Sequence, residues 1–152
     1  MSPRKFYLTL ARAEAVTWTL LIIGMIAKYS GLTDALIFPF GATHGFVFFM
    51  YLTATVLVWV NEKWGTGLGL TGLASAILPY ATIPFERHVE KTGRLSDRWH
   101  VLGKDYEPTT APEKLLRWIL RNPVLAAVLI LVVISVVFFL LLQAGPPNEW
   151  FS

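Results

Sequence analysis

Three ionisable residues stand inside long apolar stretches of this chain, and their types could support chemistry there. Glu14 and Lys28 lie in the first stretch, and His44 lies in the second, between Gly41 and Gly45. A histidine can transfer a proton or contact a ligand, and a carboxylate near it can act as an acid or a base. A charge costs roughly 2.5–3.5 kcal/mol at the centre of a membrane-spanning helix, so such side chains tend to face protein partners.

The elements that must position these residues are predicted to be membrane helices. The chain has 152 residues, of which 55% are hydrophobic and only 15% are charged. Crossing a hydrocarbon core of about 30 Å takes about 20 residues in a helix. Four stretches are long enough, and they extend from Leu8 to Lys28, from Leu36 to Val60, from Gly65 to Ile83 and from Pro123 to Leu142. The predicted fold is therefore all-α, a polytopic membrane protein with four transmembrane helices.

The predicted organisation has three parts: a three-span membrane domain over residues 1–92, a polar loop over 93–113, and an amphipathic turn, fourth span and short tail over 114–152. Thr110 and Glu113 have the spacing of a capping box, which predicts a short interfacial helix before the fourth span. Its basic stripe, Lys114, Arg117 and Arg121, could bind anionic lipid headgroups at roughly 1 kcal/mol per charge. Simple positive-inside flanking explains the stripe equally well.

One face of the first helix carries an acid and a base. The face consists of Glu14, Trp18, Leu21, Met25 and Lys28. Glu14 and Lys28 are about 21 Å apart at 1.5 Å per residue, so they cannot pair. In one interpretation Lys28 extends to one interface, and Glu14 lies at the other, bonded to Arg12 or a neighbouring helix. In the second, Glu14 is a buried partner of a polar group on the second helix.

His44 also allows two interpretations. The first is a neutral imidazole that is hydrogen-bonded to a neighbouring helix, through Glu14, Thr17 or Tyr51; the second is proton transfer or ligand contact. Gly41 and Gly45 form a Gly-x-x-x-Gly pair that lets another helix approach closely beside His44.

The third stretch is rich in small residues. Its segment Gly67-Leu68-Gly69-Leu70-Thr71-Gly72 matches the dinucleotide-binding pattern Gly-x-Gly-x-x-Gly, but no strand precedes it, so that function is excluded. The spacing instead predicts a helix-packing stripe made of Gly65, Gly69, Gly72 and Ala76. Pro79 and Pro84 are expected to kink or end the span.

Several classes of site are not supported. The chain has no cysteine, which excludes disulfides, thiol catalysis and thiolate metal sites. A single membrane histidine cannot supply two axial haem ligands, and Glu86, His88 and Glu90 are two apart, so they diverge on a helix. We therefore predict no metal, no cofactor and no enzyme activity. The net charge is +3, but the sequence has no nucleic-acid-binding motif, so we predict no nucleic-acid partner.

Basic residues suggest an orientation. With four spans, nine basic residues, including Lys28, lie on the membrane side of the third loop. Four basic residues lie on the other side, which holds the N-terminus, the 61–64 turn and the C-terminal tail. The positive-inside rule then favours a cytoplasmic third loop and both termini outside.

A set of short motifs resembles a known family. The motifs are Glu14 followed by a small residue and a hydroxyl, Met25 ahead of Lys28-Tyr29, His44-Gly45, and Tyr51. They resemble small bacterial integral membrane proteins that are marked by a His-Gly dipeptide and classed as a domain of unknown function, over about residues 8–92. Ile26-Ala27 stands where members often have a proline. The resemblance implies a bacterial plasma-membrane protein and draws attention to Glu14, Lys28 and His44 without assigning chemistry.

These observations favour two functions. The first is a non-enzymatic accessory or scaffold subunit of a larger membrane complex, with a respiratory complex as the suggested host and with lipids and other membrane subunits as partners. The second is a small homo-oligomeric transporter or proton-handling protein that uses His44 and Glu14. Acid–base chemistry by these two residues on a lipid is a third, weaker alternative.

Overall fold

The computed structural model describes residues 1–143 and is all-helical in that range, as the sequence predicts. Its α-helices are α1 (Pro3–Tyr29), α2 (Ile37–Glu62), α3 (Thr66–Ser75), α4 (Thr82–Lys91), α5 (Ala111–Arg121) and α6 (Pro123–Gln143), with a 3-10 turn at His100–Leu102. The chain forms two compact units, Met1–Arg117 and Trp118–Ser152. The predicted C-terminal tail lies outside the described residues.

The first two helices form an antiparallel pair. Ser2 caps α1 by accepting a hydrogen bond from the Lys5 amide at 3.3 Å, and Pro3 occupies the first turn, where its missing N–H costs nothing. After α1, Gly31 adopts a φ of +74°, which a glycine tolerates without strain. At Gly24 an added Cβ would lie 3.4 Å from the ring of Phe40, so this glycine lets α1 and α2 approach closely.

The predicted third span is wrong as a continuous helix. The stretch from Gly65 to Ile83 contains α3, a turn and the start of α4, with a helix of ten residues on either side of the turn. Pro79 explains where α3 stops, because a proline ring clashes with the carbonyl four residues earlier, and that residue is Ser75. Tyr80 then takes a positive φ of 63°, which reverses the chain.

The two arms of this hairpin pack on different helices. Along α3, Gly69 lies against Trp59 and Gly72 against Thr55, so α3 runs antiparallel to α2. Along α4, Thr82 contacts Glu14, and the later Glu90 pairs with Arg4 at 2.6 Å. The α4 helix therefore runs antiparallel to α1 and returns to the end of the bundle that holds the N-terminus. We call α3, the turn and α4 the short hairpin.

This return overturns the predicted placement of the third loop opposite the N-terminus. The amide of Arg4 donates to the Ser96 carbonyl at 3.2 Å, and the indole of Trp99 donates to the Met1 carbonyl at 3.0 Å. Asn61, in the last turn of α2, accepts a hydrogen bond from the His100 amide at 2.8 Å. The N-terminus, the end of α2 and the third loop thus share one end of the bundle, because the short hairpin turns back instead of crossing.

Among residues 1–143, three helices are long and apolar enough to cross a membrane: α1, α2 and the segment Pro123–Leu141 of α6. The four predicted spans are therefore reduced to three candidates. The capping box is confirmed, since Thr110 Oγ1 accepts from the Glu113 amide at 3.4 Å and the Glu113 carboxylate accepts from the Thr110 amide at 3.2 Å.

Candidate functional site

The candidate site is a buried polar core between α1, α2 and the short hairpin. Glu14 is fully buried in it, and its Oε2 accepts a hydrogen bond from the Thr82 hydroxyl at 3.0 Å. Glu14 Oε1 and the indole nitrogen of Trp18 are also buried, and neither has a hydrogen-bond partner among residues 1–143. Glu14 therefore joins α1 to α4 through Oε2.

His44 lies close to Glu14 without bonding to its carboxylate. Its Nδ1 is 3.1 Å from the Thr17 hydroxyl oxygen, and that hydroxyl donates to the Glu14 backbone carbonyl at 2.9 Å. A threonine has only one hydroxyl proton, so we infer that His44 Nδ1 carries the hydrogen and donates to Thr17. The imidazole also packs on the indole of Trp18, with ring centroids 4.4 Å apart.

A second polar chain lies one to two helical turns nearer the N-terminal end. The hydroxyls of Tyr7 and Tyr51 are 2.6 Å apart, and the Tyr51 hydroxyl is 2.9 Å from Ser75 Oγ. Ser75 Oγ in turn donates to the Gly72 carbonyl at 2.7 Å. The chain of hydroxyls ties all three of α1, α2 and α3 together, and every hydroxyl in it has a partner.

Sequence reasoning missed two members of this core, Tyr7 and Thr82. Tyr7 could have been found, because it continues the stripe of Glu14 and Trp18 by one step of seven residues toward the N-terminus. Thr82 had no such signal. It reaches Glu14 only because α4 folds back along α1, and that contact joins residues 68 apart in sequence.

The predicted packing glycines have different surroundings. An added Cβ at Gly69 would lie 2.2 Å from the Trp59 ring, and one at Gly72 would lie 3.0 Å from Thr55 and from Phe85. The nearest atom to such a Cβ at Gly41 is a Leu21 methyl at 3.8 Å, whereas at Gly65 it meets nothing within 4 Å. Ala76 is fully buried and Gly45 is half-buried. Gly69 and Gly72 therefore serve packing inside the bundle.

The remaining predicted residues lie toward the two ends. Lys28 is exposed in the last turn of α1, at the end opposite the N-terminus. Lys114 and Arg121 are exposed on α5. Arg117, in contrast, is used within the protein: its guanidinium donates to the carbonyls of Val101 at 2.6 Å, Gly103 at 3.3 Å and Tyr106.

Glu113 organises the loop that precedes α5. It accepts hydrogen bonds from the Tyr106 hydroxyl at 2.7 Å and the Thr109 amide at 2.9 Å, and Lys63 Nζ lies 3.4 Å from its Oε1. The hydrogen bond from Tyr106 and those from the amides of Thr110 and Thr109 stabilise the carboxylate, which lowers the pKa of Glu113 to about 2. The loop is thus held to the end of α2 by an ionised side chain.

Residues 1–143 contain no group of three histidine, cysteine, aspartate or glutamate residues that could hold a metal ion.

Comparison with known proteins places this core in a family. The family model of the domain of unknown function DUF3817 matches residues 4–91, which include α1, α2 and the short hairpin. The chain belongs to this family. The resemblance drawn from the His-Gly dipeptide and its accompanying motifs is thereby confirmed, and the matched range ends with α4.

One related protein is Putative membrane protein SCO5905 of Streptomyces coelicolor, which is 41% identical over 88 residues. The match covers 57% of this chain but only 10% of that protein, so the chain spans a small part of its relative's length. No solved structure matches the chain significantly. Together with the three apolar helices, these findings identify a multi-pass membrane protein of a family whose function is unknown.

Proposed function

We propose that this chain is a non-enzymatic accessory or scaffold subunit that packs on a larger bacterial membrane complex. The observation that carries the proposal is the size of the Streptomyces coelicolor relative. The matched 88 residues are a tenth of that membrane protein, so the same domain is found within a far larger polypeptide. A domain that forms a tenth of a larger membrane protein is suited to packing against further membrane-embedded protein.

The buried polar core supports a structural role for the ionisable residues. His44 is hydrogen-bonded to Thr17, and Glu14 Oε2 is hydrogen-bonded to Thr82. The Tyr51 hydroxyl is hydrogen-bonded to Tyr7 and Ser75. These bonds join α1, α2, α3 and α4. Buried polar groups that bond within the protein specify one packing arrangement, as a scaffold requires. The outer face of α1 is apolar, with Val16, Ile23 and Ile26 between 46% and 63% exposed, and it is available to lipid or to a partner helix.

The test is purification of the tagged, full-length chain from its bacterial membrane in a mild detergent, followed by identification of stoichiometric partners. A larger membrane protein should copurify at a fixed ratio, and subunits of a respiratory complex would identify the host that the sequence suggests. Recovery of only monomer or homodimer, under conditions that keep known membrane complexes intact, would refute the proposal. A variant with Trp in place of Ile23 should reduce the recovery of a partner that packs on α1.

A second candidate, proton or ion handling, is favoured by one specific observation. Glu14 Oε1 is buried without a partner among residues 1–143, and a carboxylate oxygen in that state can hold a proton or a small cation. Glu14→Gln keeps the size and the Thr82 contact but removes the charge. If this candidate is correct, proteoliposomes with E14Q lose ion or proton flux while Thr19→Ser, on the exposed side of α1, keeps it. Equal flux in E14Q, H44A and the unaltered chain would eliminate it.

A further inference from the structure

The apolar segment between α2 and the third loop begins and ends at the same end of the bundle. Residues 65–85 contain no charged side chain, which is what a membrane-embedded segment requires. We propose that this uncharged part of the short hairpin is re-entrant: it enters the bilayer from the cytoplasmic side and returns to that side. Its turn then contacts lipid acyl chains, and the basic end of the bundle faces the anionic headgroups of the inner leaflet.

The lengths of the two arms fit a hairpin that enters the membrane without crossing it. Helix α3 has ten uncharged residues, which is about 15 Å of helix and half of a core of about 30 Å, whereas α4 is uncharged only over its first four residues, before Glu86. Thr82, at the start of α4, contacts Glu14, which lies about 16 Å along α1 from Pro3. The turn is therefore level with the middle of α1, and neither arm is long enough to cross alone.

Four amides in and beside the turn find backbone acceptors within the protein. Non-helical backbone is tolerated at membrane depth only where its polar groups find partners within the protein. The amides of Ala76 and Ile77 donate to carbonyls three residues earlier, at 3.2 and 3.1 Å, and those of Ala81 and Ile83 do the same at 3.1 Å. The Tyr80 hydroxyl is 3.0 Å from the Thr19 hydroxyl of α1.

The side chains of the turn face outward and are apolar. Ile77 is 66% exposed and Leu78 is 63% exposed, which would be unfavourable in water and is favourable against acyl chains. No charged residue lies within the turn itself. The turn therefore combines internal hydrogen bonds at four amides with the apolar surface of a membrane-embedded segment.

The distribution of charged residues indicates which end of the bundle faces the cytoplasm. The unit Met1–Arg117 holds twelve Lys and Arg residues, and eleven of them belong to the end with the N-terminus, since Lys28 is the exception. Eight acidic residues share the basic end when Glu14 is counted with its neighbour Arg12, which leaves that end a net charge of +3, whereas Lys28 and Asp34 balance at the other end. Bacterial membrane proteins keep their Lys and Arg excess on the cytoplasmic side, where anionic lipid attracts it. The N-terminus and the third loop are therefore both cytoplasmic.

The absence of native cysteine makes the test direct. Single cysteines are introduced into the full chain at exposed positions at the first residue of the hairpin, after the hairpin and at the opposite end of the bundle, as Thr66→Cys, Asp105→Cys and Asp34→Cys. Each is treated with a membrane-impermeant maleimide in intact cells and in inverted vesicles, and total thiol is measured after detergent solubilisation. Lys104→Cys and Ala35→Cys replace any variant that fails to accumulate.

The expected result is labelling of positions 66 and 105 only from the cytoplasmic side and of position 34 only from outside. Labelling of 66 and 105 from opposite sides would overturn the hairpin, because it requires a crossing between them. Labelling of both from outside would overturn the orientation. A spin label at Leu78→Cys measures depth: contact with oxygen and protection from a water-soluble nickel complex are expected, and strong contact with the nickel complex would overturn the membrane position of the turn.

This topology does not depend on which partner the chain has. A chain that copurifies with no partner can still show the labelling pattern above, and a stable complex can still show the pattern of a crossing helix.

Discussion

The contact between Gly69 and Trp59 gives the sharpest prediction of stability. A Cβ at Gly69 would lie 2.2 Å from the Cδ2 and Cε2 atoms of Trp59 and 2.4 Å from its Cε3. Real side chains do not approach that closely, so in Gly69→Ala the indole must move. The same indole donates from Nε1 to the Trp64 carbonyl at 2.8 Å, and a shifted ring loses that bond. The substitution should therefore separate α3 from α2.

The magnitude follows from three contributions. Overpacking a close contact costs about 1–3 kcal/mol, and loss of the indole hydrogen bond costs about 0.5–1.5 kcal/mol. Replacing glycine by alanine within a helix returns up to about 1 kcal/mol. The free energy of unfolding should therefore fall by about 1–3 kcal/mol. Gly67→Ala is the matched control, because it is in the same helix and an added Cβ there meets nothing within 4 Å.

The assay is thermal unfolding of the purified variants in one mild detergent. G69A should have a clearly lower Tm than the unaltered chain, and G67A should match it or exceed it slightly. The double variant Gly69→Ala with Trp59→Phe removes the ring that obstructs the new methyl, so it should lose less stability than the two single variants added together. Equal Tm values for G69A and G67A would refute the inferred packing of α3 on α2.

Three further predictions concern other contacts of the bundle. Tyr51→Phe removes a buried hydroxyl that bonds to two others and should cost about 1–3 kcal/mol in the same assay, whereas Tyr29→Phe, 82% exposed, should change little. Glu113 has its pKa lowered to about 2 from 4.5, so its contribution to stability is complete above about pH 5 and is lost as the pH falls toward 2. The protection factors of the two amides that bond to it, each measured against the intrinsic exchange rate at the same pH, should fall over that interval, and Glu113→Gln should abolish this pH dependence. Arg117→Ala releases three loop carbonyls and should speed trypsin cleavage of the 98–104 segment. Lys114→Ala, exposed on the same helix, should leave that rate unchanged. Equal cleavage rates in the two variants would contradict the hydrogen bonding of Arg117 to the loop.

Much of the secondary structure could be predicted from local features. Helix α2 begins at Ile37, one residue after the predicted start at Leu36, and the capping box lies at the start of α5, Ala111–Arg121. These features depend on residues within one or two turns of each other, where proline geometry, capping side chains and apolar length decide the outcome. The motifs that identify the family are likewise short runs of neighbouring residues, such as His44-Gly45.

The candidate site was predictable only in part. The spacing of Glu14 and Trp18 placed both on one face of α1, and Thr17 was among the partners considered for His44. The structure adds the distances, and it connects His44 to the Glu14 backbone through Thr17 rather than to the carboxylate. The carboxylate instead bonds to Thr82, a partner that comes from another helix and has no local signal.

The sequence by itself determined that the chain is a helical membrane protein and where α1, α2 and α6 lie, because length and hydropathy are sums over neighbouring residues. It also indicated that Pro79 interrupts the third apolar stretch. Whether the chain then crosses or turns back was decided only by tertiary structure. The direction of α4 depends on the bonds from Thr82 to Glu14 and from Arg4 to Glu90, and these join residues 68 and 86 positions apart. No local pattern encodes such pairings, and they set the end of the bundle at which the third loop lies.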